Sequence, residues 1–134
     1  MIFEREVYLG LSSVDRAGVV FYPELLRHAH DVYEVFMASL GQALDRVFDQ
    51  QRHVIPIVHV EADYHLPMRH GQTFVVTLRV QRLGKTSFAL RYDFVGAEGE
   101  LCAQVQTVHA FVERVSGNPT PLPPELRHGL EGFR

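Results

Sequence analysis

Asp15 stands in a short loop, Asp15-Arg16-Ala17-Gly18-Val19-Val20-Phe21-Tyr22-Pro23, that runs straight into a strongly apolar segment. Pro23 suits a first helical turn, where its missing N–H costs nothing and its φ is already helical. That turn leaves backbone N–H groups unpaired at the positive end of the helix dipole. Such donors favour an electron-rich oxygen, for example a carbonyl becoming an oxyanion. A carboxylate close by would join a nucleophile or base to an oxyanion site. A plainer alternative stays open, in which Asp15 closes a turn or pairs with Arg16.

Two other groups of reactive residues carry less. His59, Glu61, Asp63 and His65 alternate along one stretch, and a strand would bring them to one side, as a metal site requires. A solvent-facing polar stripe gives the same pattern and no cysteine joins them, so no metal is expected. Cys102 lies in an apolar run and reads as packing rather than as a nucleophile.

The elements that must position Asp15 follow from periodicity. A helix is expected over residues 23–40, with Leu25, Ala29, Val32, Phe36 and Leu40 on one strip and Leu26, Tyr33 and Met37 on the next; Gly41 supplies the stop. More than half its circumference is apolar, so other elements must cover it. Residues 2–11 read as a first strand with Phe3, Val7 and Leu9 inward. Ala43, Leu44, Val47 and Phe48 suggest a short second helix over residues 42–50. Strand-like alternation then recurs over 58–66, 73–81, 88–94 and 101–113, broken by Pro67, by Leu83-Gly84-Lys85 and by Gly96-Ala97-Glu98-Gly99. The order is a strand, a long helix and an antiparallel meander of four strands. Fold class is α+β, with the helix packed on one face of an antiparallel sheet of about five strands.

The 134 residues are expected to form a single domain with a Pro-rich tail from about residue 116, read as an extended cover or loose end. With 46% hydrophobic and 22% charged residues the chain is ordinary for a globular protein. A net charge of −3 argues against nucleic acid as the main partner. A single cysteine, the absence of any apolar run near ~20 residues, and Glu4, Arg5 and Glu6 at the N-terminus point to no membrane span and a cytoplasmic location.

The residue 15–23 loop resembles the Asp-x-x-Gly-Val-Val-[Tyr/Phe]-x-x loop of hotdog-fold acyl-CoA thioesterases of the 4-hydroxybenzoyl-CoA thioesterase superfamily. Tyr8-Leu9, His30-Asp31-Val32-Tyr33-Glu34 and Ile55-Pro56-Ile57-Val58-His59 look most similar to its 1,4-dihydroxy-2-naphthoyl-CoA thioesterases of quinone biosynthesis. The resemblance implies a curved sheet wrapped around one long central helix, and hydrolysis of an acyl-CoA to free acid and CoA without a cofactor. It makes Asp15 the catalytic carboxylate, as nucleophile or as base for water, and gives the Tyr22 backbone N–H to the thioester carbonyl. Gly18 would let the loop approach the substrate closely. Arg16 and Ser13-Val14 depart from the family pattern beside the Asp.

By the same resemblance His30 and His59 would bind an aromatic acyl group, and Lys85, with Arg82 beside it, the phosphates of CoA. The alternatives are a core histidine at His30 and a solvated turn at Lys85. Relatives of this type are dimers of dimers with sites at subunit interfaces, so a homotetramer is expected. Two further readings of function remain, a thioesterase for short or medium acyl chains and a non-catalytic module binding acyl-CoA or protein. A dehydratase would need a His-based site in another loop.

Overall fold

The computed structural model describes residues 1–42 and 52–134. Its elements are β1 (Phe3–Tyr8), a 3-10 turn (Leu11–Ser13), α1 (Tyr22–Ser39), β2 (His53–Val54), β3 (Ile57–Tyr64), β4 (Thr73–Leu83), β5 (Ser87–Val95), β6 (Leu101–Ala110), β7 (Val112–Glu113) and α2 (Pro124–Glu131). The short helix expected over residues 42–50 lies, Gln42 apart, outside the described residues.

The apolar periodicity of α1 becomes its packing. Leu25, Ala29, Val32, Tyr33, Phe36 and Met37 are buried, while Leu26 and Leu40 are half-buried. Gly41 ends the helix at φ +77°, which only glycine adopts without strain. The facing surface comes from strand alternation: Phe74, Val76, Leu78 and Val80 of β4 and Phe88, Leu90, Tyr92 and Phe94 of β5 all point inward. Each large side chain so buried is worth about 1.5–3 kcal/mol. The other face is polar, with Asp93 accepting hydrogen bonds from Arg91 and Gln104, both at 3.1 Å.

Strand order differs from the expected four-strand meander. β4, β5 and β6 do follow one another, but the five-stranded sheet runs β1-β4-β5-β6-β3, antiparallel throughout. The eight residues 65–72 are too many for a hairpin and ample for crossing three strand spacings, roughly 14 Å. The crossing segment is not idle, because Met68 and His70 pair with the Asp15 loop: Val20 N–H donates to the Met68 carbonyl at 2.8 Å and His70 N–H to that of Gly18 at 3.0 Å.

β3 therefore forms an edge. Its expected buried face is largely open, with Val58 60%, Val60 43% and Tyr64 46% exposed. The opposite edge, β1, carries Glu4, Arg5 and Glu6, charges that discourage pairing.

The tail is neither an extended cover nor a loose end. It folds back through the Val112–Pro119 bridge and ends in α2, which opens on Pro124 and buries Leu126 and Leu130. Val80 N–H donates to the Phe133 carbonyl at 2.9 Å, and the Phe133 ring meets Phe36 edge-on at 5.1 Å. The Leu122, Leu126, Leu130 spacing behind two prolines was the overlooked signal.

Candidate active site

The Asp15 loop is a small closed hairpin. Val14 bridges Val20, Asp15 N–H donates to the Val19 carbonyl at 2.9 Å, and Phe21 N–H donates to the Ser13 carbonyl at 2.9 Å. At its tip Asp15 Oδ1 accepts the N–H groups of Ala17 at 2.8 Å and Val19 at 3.4 Å. Asp15 thus does close a turn, and among the described residues it pairs with no arginine. The side chain is exposed, and among the described residues Oδ2 has no hydrogen-bond partner.

Gly18 sits at φ +79° with nothing within 4 Å of an added Cβ. Its job in this chain is the left-handed backbone of the turn. Gly18→Ala should cost about 1–2 kcal/mol through backbone strain alone. Chemical denaturation checks this, and an unchanged midpoint would show that the turn tolerates a side chain.

The hairpin delivers the chain to α1 with the Tyr22 donor to spare. Phe21 N–H is used by Ser13, Pro23 has none, and Glu24 N–H turns to the Phe21 carbonyl at 2.7 Å. Among the described residues the Tyr22 N–H has no acceptor. The Tyr64 hydroxyl donates to the Tyr22 carbonyl at 2.6 Å and ties the end of β3 to the helix start.

A second anchor is Ser13, almost wholly buried. Its hydroxyl donates to Glu24 Oε1 at 2.9 Å, and its oxygen lies 3.0 Å from His28 Nε2 and 3.3 Å from Arg27 Nη2. Because its proton is committed to Glu24, Ser13 accepts from His28 and is not activated by it, so the three form a strut and not a catalytic triad. Arg27 and Ser13 hold the Glu24 carboxyl below its usual range, and burial, then the Arg27 charge, pushes His28 down. Glu24, Arg27, His28 and Tyr64 escaped sequence reasoning, since nothing local marks them as neighbours of the loop, and Ser13 was legible only as a departure beside Asp15.

Between α1 and the sheet lies a cavity of about 340 Å³, lined by Leu26 and His30 of α1, Ile57 and Val60 of β3, and Tyr92 and Thr107 of β5 and β6. His30 is therefore at the cavity wall, half-exposed, with Nε2 3.3 Å from Glu34. Leu26, one turn beyond Tyr22 and on the same face, leads from the free N–H toward the cavity.

His59 is elsewhere. A bulge between Ile57 and His59 leaves Ile57 and Val60 paired with inward His109 and Thr107, while His59 pairs with Val108 on the outer face, 3.6 Å from Glu61. Among the described residues no three His, Cys, Asp or Glu side chains are placed to share a metal.

Lys85 and Arg82 are not near Asp15 within this chain. The Asp15 loop is joined to the start of β4, where Val19 bridges Arg69, whereas Lys85 follows the end of β4. Ten strand steps separate those ends, roughly 33 Å. The Lys85 turn is braced by Arg127 of α2, whose Nη2 donates to the Gly84 carbonyl, and Arg82 donates to Ser87 Oγ at 3.0 Å. Arg127 adds a third cation to that corner, legible only once the tail was seen to fold back.

An antiparallel five-stranded sheet carrying a buried-faced helix is the hotdog thioesterase fold. The chain belongs to the thioesterase-like superfamily, whose sequence pattern it matches over residues 9–130. It is 33% identical over 125 residues to a 1,4-dihydroxy-2-naphthoyl-CoA hydrolase of Rippkaea orientalis, covering 92% of this chain and 91% of that protein. It is 34% identical over 130 residues to one of Synechococcus elongatus, covering 96% and 93%. A crystal structure of a 1,4-dihydroxy-2-naphthoyl-CoA thioesterase from Synechocystis superposes with a TM-score of 0.91 at 26% identity, over 97% of this chain and 96% of that one.

Proposed function

We propose that this protein hydrolyses an aromatic acyl-CoA, with 1,4-dihydroxy-2-naphthoyl-CoA the first candidate and hydroxybenzoyl-CoA the second, to the free acid and CoA. The observation that carries the reading is the pairing of an open Asp15 Oδ2 with an unused Tyr22 N–H on one hydrogen-bonded loop. The substrate class comes from the cyanobacterial relatives and from the size and apolar lining of the cavity beside His30.

The substrate carbonyl oxygen accepts from Tyr22 N–H, where negative charge grows as the carbon becomes tetrahedral. Asp15 attacks that carbon, or draws the proton from a water that does. The C–S bond breaks and CoA leaves as a thiolate that needs no strong acid. Water attack gives the free acid directly, whereas attack by Asp15 leaves an acyl–Asp15 anhydride that a water then opens, releasing the acid and restoring the carboxylate. In this role Gly18 shapes the loop, and His30 meets the ring at the cavity wall. The chain's residues 1–134 act as one hotdog domain, its sheet curved around α1.

A second copy completes the site. Two chains joined edge to edge at β3 by a two-fold axis would bury Val58 and Val60 and satisfy the open ladder. The two-fold brings the partner's far end, with its Lys85, Arg82 and Arg127, to the end that holds Asp15, suiting the CoA phosphates. His59 then lies at the joint. The polar outer sheet face leaves a second surface for a dimer of dimers, and the lone buried Cys102 fits a cytoplasmic setting.

Thiol release from dihydroxynaphthoyl-, 4-hydroxybenzoyl-, benzoyl- and straight-chain-CoA tests the reading. Fastest turnover is expected on a hydroxylated aromatic thioester. Turnover of straight chains alone would favour the short- or medium-chain alternative, and no turnover would favour a binding module.

A further inference from the structure

Polar groups are scarce in this core, and three of them touch. His109, wholly buried in β6, lies between the rings of Tyr33 and Phe88, with centroids 4.4 and 4.9 Å away. Its Nε2 is 2.7 Å from Thr107 Oγ1, which is 3.0 Å from the Tyr92 hydroxyl. Tyr92 and Thr107 both line the 340 Å³ cavity, so a chain of hydrogen bonds starts deep in the strands and ends at the cavity wall.

Counting protons sets its direction. His109 Nδ1 is buried and has no partner. A buried N–H without an acceptor is the rarer and costlier orphan, so the proton belongs on Nε2, donating to Thr107. Thr107 then spends its single proton on the Tyr92 oxygen. The Tyr92 proton is left over and is free for a group in the cavity. Burial, then the charge of His30, pushes His109 down to about 3, and burial pushes the Tyr92 phenol up, so both stay neutral around pH 7.

We propose that the Tyr92, Thr107, His109 chain selects the acyl group by offering one fixed O–H donor to a ring oxygen of a hydroxylated aromatic thioester in an otherwise apolar cavity. The inference rests on the hydrolase reading above and adds residues that reading does not use. Tyr92 touches the substrate; Thr107 and His109 are positioning residues that hold its proton toward the cavity. An unsubstituted ring leaves the donor unpaired and should be disfavoured roughly 10- to 100-fold.

The test compares kcat/KM from thiol release on matched pairs, dihydroxynaphthoyl- with naphthoyl-CoA and 4-hydroxybenzoyl- with benzoyl-CoA, in wild type, Tyr92→Phe, Thr107→Val and Thr107→Ser. Wild type should prefer the hydroxylated member by roughly 10- to 100-fold. Tyr92→Phe and Thr107→Val should erase most of that preference by slowing only the hydroxylated substrate, and Thr107→Ser, which keeps the hydroxyl, should restore it. Equal slowing of both members, or a preference that survives Tyr92→Phe, overturns the inference and leaves the hydrolase reading standing. A wild type that cleaves only straight-chain thioesters overturns both. Should Thr107→Val fail to fold, the nearly isosteric Tyr92→Phe decides alone.

Discussion

Asp15→Asn is expected to lower kcat for thioester hydrolysis by roughly 10²- to 10⁴-fold with little change in KM. The variant isolates charge from shape. Asn keeps a carbonyl oxygen at Oδ1, the atom that accepts the Ala17 and Val19 N–H groups at 2.8 and 3.4 Å. The loop, its bond to Met68 and the Tyr22 N–H at the helix start should therefore persist. What disappears is the negative charge on the second oxygen, the one that would attack the thioester or take the proton of water. The measurement is single-turnover and steady-state thiol release, with denaturation midpoints to show that the fold survives. Retention of activity within about 3-fold would reduce Asp15 to a turn residue, since loss of a working base costs at least ~10².

The second large effect is on stability. His109 has a folded pKa of about 3 against an ordinary 6.5, because burial between Tyr33 and Phe88 disfavours the imidazolium. Between those values the unfolded chain holds a proton that the folded chain refuses. Stability therefore falls as pH is lowered through 6.5, by about 1.4 kcal/mol per pH unit, and on the order of 4–5 kcal/mol by pH 3. That is a large part of a typical 5–15 kcal/mol, so acid unfolding should set in well above pH 3.

His28 is shifted in the same direction, and Glu24, held low by Arg27 and Ser13, adds its loss only below about pH 4.5, its ordinary value. Urea unfolding at pH 6.5 and pH 5 should differ by about 2 kcal/mol. His109→Phe, which keeps a ring in the stack but cannot titrate, should remove most of that difference. An equally steep pH dependence in the variant would place the acid sensitivity elsewhere.

What local periodicity can carry was legible in the order of residues alone. The α1 apolar strips, with Pro23 at the start and Gly41 at the stop, marked one element on which the rest must pack, and Phe74 to Val80 and Phe88 to Phe94 could alternate only as strands with one buried face. Asp15 and Gly18 were legible for the same reason, since a turn is written in the residues that make it.

Which strands are neighbours depends on long-range packing. β3 lies at the far edge because an eight-residue link crosses the sheet end, and strand pairing at that distance leaves no periodic trace. From that placement follows the open β3 face; the length of β4 separates Lys85 from Asp15, and the bulge after Ile57 turns His59 away from His30. The docking of the tail helix and the burial of His109 were undetermined for a related reason. Leu126, Leu130, Thr107 and His109 have meaning only through partners distant in sequence, and whether a polar side chain is a solvated stripe or a buried relay depends on what other segments close over it.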